Sequence, residues 1–201
     1  MHAISGMEPK IGIIGHGRVG SALERGLVRA GFAVRAVGHD ADAVRGCGDW
    51  ADVIVLAVPF RAIEETIEEL DDTVDDKVVL DVTNALDEHM QLVQSDKSGA
   101  EQLQEMAPNA HVVKIFNTVF AQHMDSGSVD GESLTAFVAG DDHEAKETAI
   151  ELAEAIGFDA VDAGPLTNAR WLETLGFLNI QLGYVEKMGP DIGFKLVHPV
   201  L

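Results

Sequence analysis

Cysteine is almost absent from this 201-residue sequence, in which Cys47 stands alone. An intramolecular disulfide and a cysteine-rich metal site are therefore excluded. The sequence has no run of about 18 apolar residues, so it predicts no transmembrane helix. Its first nine residues lack the basic region and the apolar core of a signal peptide, and we expect a cytoplasmic location by default.

Basic residues are also scarce, because 14 Lys and Arg stand against 34 Asp and Glu, which gives a formal net charge of −20. This charge argues against nucleic acid and anionic membranes as partners. The carboxylate-rich run at 64–76 is interpreted as a solvated helix face and turn. The acidic composition also leads to the hypothesis of a salt-adapted host. The eight histidines lack the spacing of a helical metal site, so we predict no metal.

A glycine-rich turn is the most informative stretch that is present. Residues 10–27 read KIGIIGHGRVGSALERGL, in which an apolar strand, the spacing G-x-G-x-x-G and a helical pattern follow one another. In such a turn Gly15 permits the tight bend, Gly17 lets backbone approach a pyrophosphate, and Gly20 lets helix and strand pack closely. We predict a dinucleotide site here, the alternative being an ordinary strand-to-helix turn without a ligand.

Strands and helices alternate along the chain, which predicts an α/β fold: a Rossmann-type, doubly wound, mainly parallel sheet. We divide the chain into a flexible N-terminal tail (1–9), a dinucleotide-binding Rossmann domain (10–163) and a small C-terminal helical appendage (164–201). The helix predicted over 168–185 is apolar on more than one face. We therefore expect the appendage to cover the ligand cleft or to form a homodimer contact.

Three local features are predicted from parts of the sequence where the pattern is less regular. We expect a short helical turn over 41–45, a loop around Cys47 and a Gly/Ser/Asp loop over 125–133. Lys114 falls in the middle of a predicted strand, and we interpret it as structural.

In an open α/β sheet, ligands bind beyond the carboxyl ends of the strands. This rule places the pyrophosphate over the glycine turn, the adenosine ribose near the end of the second strand and the nicotinamide toward the later strand ends. The predicted cofactor-binding residues are Gly15, His16, Gly17, Arg18, Val19, Gly20, His39, Asp40, Ala57, Val58, Pro59, Asn84, Asn117 and Thr118.

The choice between NAD and NADP depends on the residues after the second strand. An acidic residue there usually holds the ribose hydroxyls of NAD, and Asp40 fits that role. Alternatively, Asp40 caps the next helix, while His39, Arg18 and Arg45 form a pocket for the 2′-phosphate of NADP. The sequence leaves both alternatives open.

Several separate segments resemble the deazaflavin-dependent NADP oxidoreductase family, whose members pass hydride between NADPH and 8-hydroxy-5-deazaflavin (coenzyme F-420). They are the glycine turn with its strand and helix, ADVIVLAVP at 51–59, HVVKIFN at 111–117, DAGPLTNARWLETL at 162–175 and GPDIGFK at 189–195. The resemblance covers most of residues 10–196. It implies an NAD(P)H-dependent oxidoreductase that uses NADP (or NAD), with coenzyme F-420 or a flavin as second redox partner.

Two positions depart from the archetypal subgroup of that family. The subgroup has a Ser-Arg pair that grips the 2′-phosphate where this chain has His39 and Asp40, and a histidine and a proline where this chain has Asn117 and Phe120. The pattern K-x-F-N-T at 114–118 is closer to a bacterial branch and to the reductase domain of the STEAP metalloreductases, which resembles this family and uses flavin. The implied acceptor is a deazaflavin, an ordinary flavin or another compound.

No protein acid or base is assigned, which agrees with hydride transfer between two stacked cofactors. We predict that Pro59, Asn84, Asn117 and Thr118 position the nicotinamide. The predicted acceptor wall consists of Phe120, Pro165, Asn168 and Trp171. The alternative interpretations are core packing for the two aromatic residues and a helix N-terminus for 165–168.

Two other functions stay open at this point. One is an NAD(P)-dependent imine or carbonyl reductase, which would need a proton donor. The other is a non-catalytic NAD(P)-binding regulatory module.

Overall fold

The structure is a computed structural model that describes residues 8–93 and 95–197. Its main element is a seven-stranded sheet with helices on its sides. In chain order the strands are β1 (Ile11–Ile14), β2 (Val34–Val37), β3 (Val53–Leu56), β4 (Val78–Asp81), β5 (His111–Lys114), β6 (Ser128–Val129), β7 (Glu132–Ser133), β8 (Thr135–Gly140) and β9 (Asp159–Asp162). The helices are α1 (Arg18–Ala30), α2 (Ala41–Trp50), α3 (Ile63–Leu70), α4 (Gly99–Met106), α5 (His143–Ala155) and α6 (Ala169–Ile180).

The strand order of the large sheet is β2-β1-β3-β4-β5-β8-β9, and β6 pairs with β7 in a separate hairpin. The first five strands are parallel, β8 is antiparallel to β5, and β9 is parallel to β8. The connection from β5 to β8 contains no α-helix, and the chain reverses its direction at β8. This architecture confirms the predicted Rossmann-type, mainly parallel sheet.

The central strands are buried because apolar side chains leave them on both faces. All four residues of β1 and all four of β3 are buried. On one face Ile11 and Ile13 pack with α1 and α5, and on the other face Ile14 packs with α2, α3 and α4. The alternation of side chains along each strand therefore divides the core into two apolar layers.

The second helix differs from the prediction, because α2 continues from Ala41 through Trp50. Gly46 and Gly48 have low helix propensity, which hid its second half from the sequence pattern. Tertiary packing overrides that low propensity. Gly48 is needed inside the helix because a Cβ at this position would collide with the Thr73 side chain. Cys47 is consequently a buried helical residue and not a loop residue, and burial raises the pKa of its thiol.

The loop predicted over 125–133 contains the β6–β7 hairpin, in which Ser128 pairs with Ser133. Asp130 and Gly131 supply the positive φ values, 49° and 83°, that its turn requires. The hairpin was missed because its strands are only two residues long.

The C-terminal segment crosses the sheet and then returns beside β8. After α6 a π-helical turn runs from Gln181 to Val185. Further on, the N–H of Thr135 donates to the carbonyl of Phe194 at 2.9 Å, and the N–H of Leu196 donates to Oγ1 of Thr135 at 2.9 Å. The division into tail, domain and appendage stays a prediction, and residues 1–7 of the tail and 198–201 of the appendage lie outside the described residues.

Among residues 8–93 and 95–197, no helix combines the length and the apolar character needed to cross a membrane.

Candidate functional site

The turn between β1 and α1 is built so that only glycine fits at two of its positions. Gly15 has a φ of +105°, and a Cβ there would collide with the carbonyl of Ala57. A Cβ at Gly20 would collide with the carbonyl of Gly15, so α1 packs directly on the turn. Gly17 differs, because nothing lies within 4 Å of a Cβ built there. The turn therefore packs closely against its neighbours at Gly15 and Gly20, while its backbone at Gly17 is open. We call this open stretch of backbone the cradle.

The N-terminus of α1 has no side-chain cap. Gly17 is its N-cap, and its first turn holds no acidic residue. By contrast, side-chain oxygens of Asp40, Ser98 and Asp142 accept N–H groups at the starts of α2, α4 and α5. The N–H groups and the positive dipole end of α1 thus remain available to an anion. These residues fit the pyrophosphate of a dinucleotide.

A cleft of about 540 Å³ opens beside this turn, toward the end of β2. Asp40 lies next to it, but its Oδ1 accepts the N–H of Ala43 at 3.0 Å, which is the capping role considered above. Glu65 and Glu69 of α3 line the cleft and were not predicted. The predicted cofactor residues that line it are Gly15, His16, Gly17, His39, Ala57, Val58 and Pro59.

Two smaller cavities continue this cleft along the ends of the parallel strands. A middle cavity of about 210 Å³ shares Val58 and Pro59 with the cleft and extends to Val19 and Asn84. A far cavity of about 230 Å³ shares Val19 and Asn84 with the middle one. We call the three together the cofactor groove. The shared lining residues make the three cavities neighbours along the carboxyl ends of the parallel strands.

The far cavity is lined by aromatic and aliphatic side chains with a few polar groups. Phe120 and Tyr184 meet edge to face with ring centroids 5.3 Å apart. Arg18 lies at its mouth, and Asn179 and Ile180 of α6 close its side. An apolar pocket with convergent polar groups is the usual setting of a small-molecule site.

Asn84 and Asn117 form a reciprocal amide pair between the middle and far cavities. Nδ2 of Asn84 donates to the backbone carbonyl of Asn117 at 2.8 Å. In return, Nδ2 of Asn117 donates to Oδ1 of Asn84 at 2.9 Å and to the backbone carbonyl of Leu172 at 2.8 Å. Phe116, with a φ of 61°, turns the chain just before this pair. Such a φ is strained for an aromatic residue and persists only where packing enforces it.

Two buried polar atoms beside this pair have no hydrogen-bond partner within the described residues. They are Oδ1 of Asn117 and Oγ1 of Thr83. Asn117 lines the far cavity and Thr83 lines the middle one. Buried polar atoms are normally paired, so this part of the groove fits a ligand that donates a hydrogen bond, such as a carboxamide.

Lys114 is fully buried beneath this edge. Its Nζ lies 2.8 Å from Asp81, 2.9 Å from Glu173 and 2.7 Å from the Thr83 carbonyl. Burial by itself lowers the pKa of Lys114, but the two carboxylates outweigh it and raise that pKa above its ordinary value. The result is a charged lysine that joins β4, β5 and α6, so the structural interpretation of Lys114 agrees with its position.

Glu173 also fixes α6 against the start of α4, because it accepts the N–H groups of Gly99 and Ala100 at 3.0 and 3.2 Å. On the rim of the same contact, Arg170 donates to Glu101 at 2.6 and 2.8 Å. The Arg170 guanidinium, together with bonds from Ser98, lowers the pKa of Glu101 to about 2. These charges hold α6 where its C-terminal half closes the far cavity.

The predicted acceptor wall is only partly brought together. Phe120 lines the far cavity, whereas Pro165, Asn168 and Trp171 line none of the three cavities. Trp171 is 71% exposed on α6, so it is not a core residue either. Thr118 is buried under α6, where its carbonyl accepts Nδ2 of Asn179 at 3.1 Å.

The direction of β8 explains where residues 165–168 lie. Gly140, at the end of β8, donates its N–H to the Gly164 carbonyl at 3.1 Å, and Leu166 donates its N–H to Asp141 at 2.9 Å. Because β8 is antiparallel to β5, its end lies at the amino edge of the parallel strands. Residues 165–168 therefore begin α6 at the edge opposite the glycine turn, and the C-terminal half of the helix reaches the groove.

Sequence reasoning missed Asn179, Ile180 and Tyr184 in the far cavity. An asparagine within the mostly apolar stretch 175–182 was the one available signal for the first of them. Nothing in the spacing of the other two separates them from core residues. Among residues 8–93 and 95–197, no group of three or more His, Cys, Asp or Glu side chains is placed to hold a metal ion.

The fold and the groove define a class, namely a dinucleotide-binding α/β domain with a second ligand pocket adjoining the first. Residues 36–85, from β2 to just beyond β4, match the family model described as NADP oxidoreductase, coenzyme F420-dependent. The resemblance to this family inferred from the sequence is thereby confirmed.

Relatives extend the likeness over most of the chain. The chain is 32% identical to the metalloreductase STEAP3 of Rattus norvegicus over 180 residues, which are 83% of this chain and 36% of that protein. It is 35% identical to the F420-dependent NADP reductase of Methanothermobacter thermautotrophicus over 145 residues, 66% of this chain and 60% of that enzyme. The chain therefore spans about a third of the length of the metalloreductase and three fifths of that of the reductase.

Among solved structures, one assigned as an F420-dependent NADP-reductase from Arthrobacter sp. FB24 matches with a TM-score of 0.86 and 25% sequence identity. The match covers 95% of this chain and 100% of that one. Because the match covers nearly the whole of both chains, the two proteins share one fold.

Proposed function

We propose that the protein transfers hydride between NAD(P)H and a flavin-like acceptor, such as 8-hydroxy-5-deazaflavin (coenzyme F-420) or a flavin. The observation that carries this proposal is the row of three adjoining cavities in the cofactor groove, with the glycine cradle at the first and aromatic side chains at the last. The relatives named F420-dependent NADP reductase and metalloreductase support it. By that relationship, NADP and coenzyme F420 are the first cofactors to test.

Each part of the groove has a separate task in this proposal. The N-terminus of α1 holds the pyrophosphate, and Asn117 Oδ1 and Thr83 Oγ1 accept hydrogen bonds from the nicotinamide carboxamide. Phe120 and Ile180 enclose the acceptor ring and exclude water from it. The bound cofactors supply the hydride chemistry, and the protein contributes orientation and dryness.

A second candidate function is imine or carbonyl reduction, and Tyr184 is the observation that favours it. Tyr184 lines the far cavity and is the residue there with a phenol hydroxyl. A phenol beside a reacting carbon is a plausible proton donor in such chemistry. Under this alternative Tyr184→Phe would lose turnover, whereas hydride transfer to a deazaflavin or flavin would continue in that variant.

The proposed function predicts that Ile180→Asp lowers kcat/KM for the acceptor by about tenfold or more, because it places a charge in the apolar pocket. The affinity for the nicotinamide dinucleotide should change less than kcat/KM for the acceptor, since the phosphate cradle lies elsewhere. The measurement is loss of the reduced nicotinamide absorption band with coenzyme F-420, FMN, FAD and cyclic imines as acceptors.

Thr174→Asp, on the exposed side of the same helix and outside the three cavities, is the matched control and should match the wild type. Dinucleotide binding without transfer to any acceptor would instead indicate a regulatory module. If neither NAD(H) nor NADP(H) bound, the proposed function would be wrong.

We also propose a homodimer formed through the outer face of α6. Trp171 and Leu178 are 71% and 46% exposed, and with Leu175 they repeat at the 4-3 spacing of one face of α6. Val185, which is 58% exposed, follows in the π-helical turn. Covering such a stripe removes apolar area from water.

Leu178→Arg is expected to shift the protein from dimer to monomer in light scattering after size exclusion. Glu151→Arg, on the exposed side of α5, places an arginine on another surface and should leave the mass unchanged. A monomeric wild type would contradict the dimer proposal. The cytoplasmic location and the salt-adapted host stay predictions.

A further inference from the structure

The adenosine end of the cofactor groove has an acidic wall. Glu65 and Glu69 of α3 line this cleft opposite His39, and no lysine or arginine contributes to its lining. Asp40 adds a third carboxylate at the end of β2, where dinucleotide-binding folds hold the adenosine ribose. This is an unfavourable environment for a 2′-phosphate, which brings about two further negative charges.

The cations that the sequence suggested for a phosphate pocket lie elsewhere. Arg45 faces away toward Asp71 and Asp72 at 3.0 and 2.7 Å, and hydrogen bonds to these carboxylates raise its pKa. Arg18 lines the far cavity instead. Arg35 stacks on Trp50 with its guanidinium carbon 4.5 Å from the ring centroid. None of them lines the adenosine end.

Asp40 is held in place by its capping bond. Its Oδ1 accepts the Ala43 N–H at 3.0 Å, while Oδ2 makes no hydrogen bond within the described residues. A carboxylate with one engaged and one available oxygen suits a neutral ribose hydroxyl, which can donate a hydrogen bond. The same oxygen would repel a phosphate in that position.

We propose that the protein selects NAD(H) over NADP(H), and that Asp40, with Glu65 and Glu69, determines this specificity. The proposal rests on the proposed function, because it concerns the cofactor of the same groove. It differs from the cofactor named for the F420-dependent NADP reductases that this chain resembles.

The test is the ratio of the dissociation constants for NADPH and NADH, measured by nucleotide fluorescence at one ionic strength. In the wild type the dissociation constant for NADPH should be about 100-fold higher than that for NADH. Asp40→Ser retains a helix cap but removes the charge, and should reduce that ratio by about tenfold. Asp40→Arg should bring the ratio to one or invert it. Thermal unfolding of each variant checks the fold.

Two control variants separate a local effect from a general change in charge. Asp42→Arg makes the same charge change two residues beyond Asp40, in the first turn of α2, and should leave the ratio within about threefold of the wild type. Arg61→Gln removes an exposed cation that precedes the lining residue Ala62, and should also leave it unchanged. A loss of NADPH affinity in Arg61→Gln would show a cation at the phosphate position and overturn the proposal.

The remaining outcomes distinguish the two proposals. A wild type that binds NADPH as tightly as NADH overturns the cofactor preference and leaves the proposed function intact. A wild type that binds neither dinucleotide overturns the proposed function, and the preference with it.

Discussion

Replacing Lys114 by methionine is expected to lower the free energy of unfolding by about 3–5 kcal/mol. Lys114 is fully buried and is the cation between Asp81 and Glu173. Its removal leaves two carboxylates close together in the core without a neutralising partner, which is far more costly than losing one surface ion pair. Equilibrium unfolding in urea, at a pH where both carboxylates are ionised in the unfolded chain, measures the change.

Lys146→Met is the matched control, because Lys146 also pairs with an aspartate, Asp162, at 2.8 Å. That carboxylate is 47% exposed, so solvent screens the pair and its loss should cost about 0–1 kcal/mol. Equal effects of the two substitutions would show that the buried triad adds nothing beyond an ordinary ion pair. In Lys114→Met we also expect weaker closure of the far cavity, because Glu173 anchors α6.

The second large effect is expected on cofactor binding with the fold unharmed. Gly17→Asp should raise the dissociation constant of the nicotinamide dinucleotide roughly 100-fold or more, since it puts a carboxylate in the pyrophosphate cradle. The free energy of unfolding should stay the same or rise by about a few tenths of a kcal/mol, because aspartate is a good N-cap. Gly17 has an extended backbone, and nothing lies within 4 Å of a Cβ built there.

Nucleotide fluorescence and thermal unfolding on the same samples check the two halves of this prediction. Gly46→Asp adds the same charge at an open, exposed position of α2 and should bind the dinucleotide like the wild type. Unimpaired binding in Gly17→Asp would place the phosphates somewhere other than the N-terminus of α1. Loss of folding in that variant would contradict the open space seen at Gly17.

Much of the fold was accessible from the sequence because its signals are local. Continuous apolar runs such as that of β3 indicate central parallel strands, and Gly31 ended α1 in the left-handed conformation that its position predicts. The errors came where packing overrides propensity, as in the second half of α2. The direction of β8 was not accessible either, since no local pattern encodes whether a strand pairs parallel or antiparallel.

The sequence by itself indicated the glycine cradle, because the glycine spacing, the contact of Gly20 with the Gly15 carbonyl and the uncapped N-terminus of α1 are properties of one short stretch. The contact that excludes a side chain at Gly15 comes instead from the Ala57 carbonyl, just beyond β3. It also indicated which strand ends meet at one edge. Only the tertiary structure decided where the charges near that edge point. It placed Asp40 at a helix cap, paired Arg45 with Asp71, and brought Glu65 to the cleft beside the glycine turn.

The composition of the far cavity, which we propose as the acceptor pocket, was likewise decided by tertiary structure. The reversal at β8 starts α6 at the far edge of the sheet, so residues of its C-terminal half, and not Pro165 or Asn168, reach Phe120. Helix spacing tells which residues share a face but not where along the sheet the helix begins. That position follows from contacts between segments distant in the chain, such as Leu166 with Asp141 and Lys114 with Glu173.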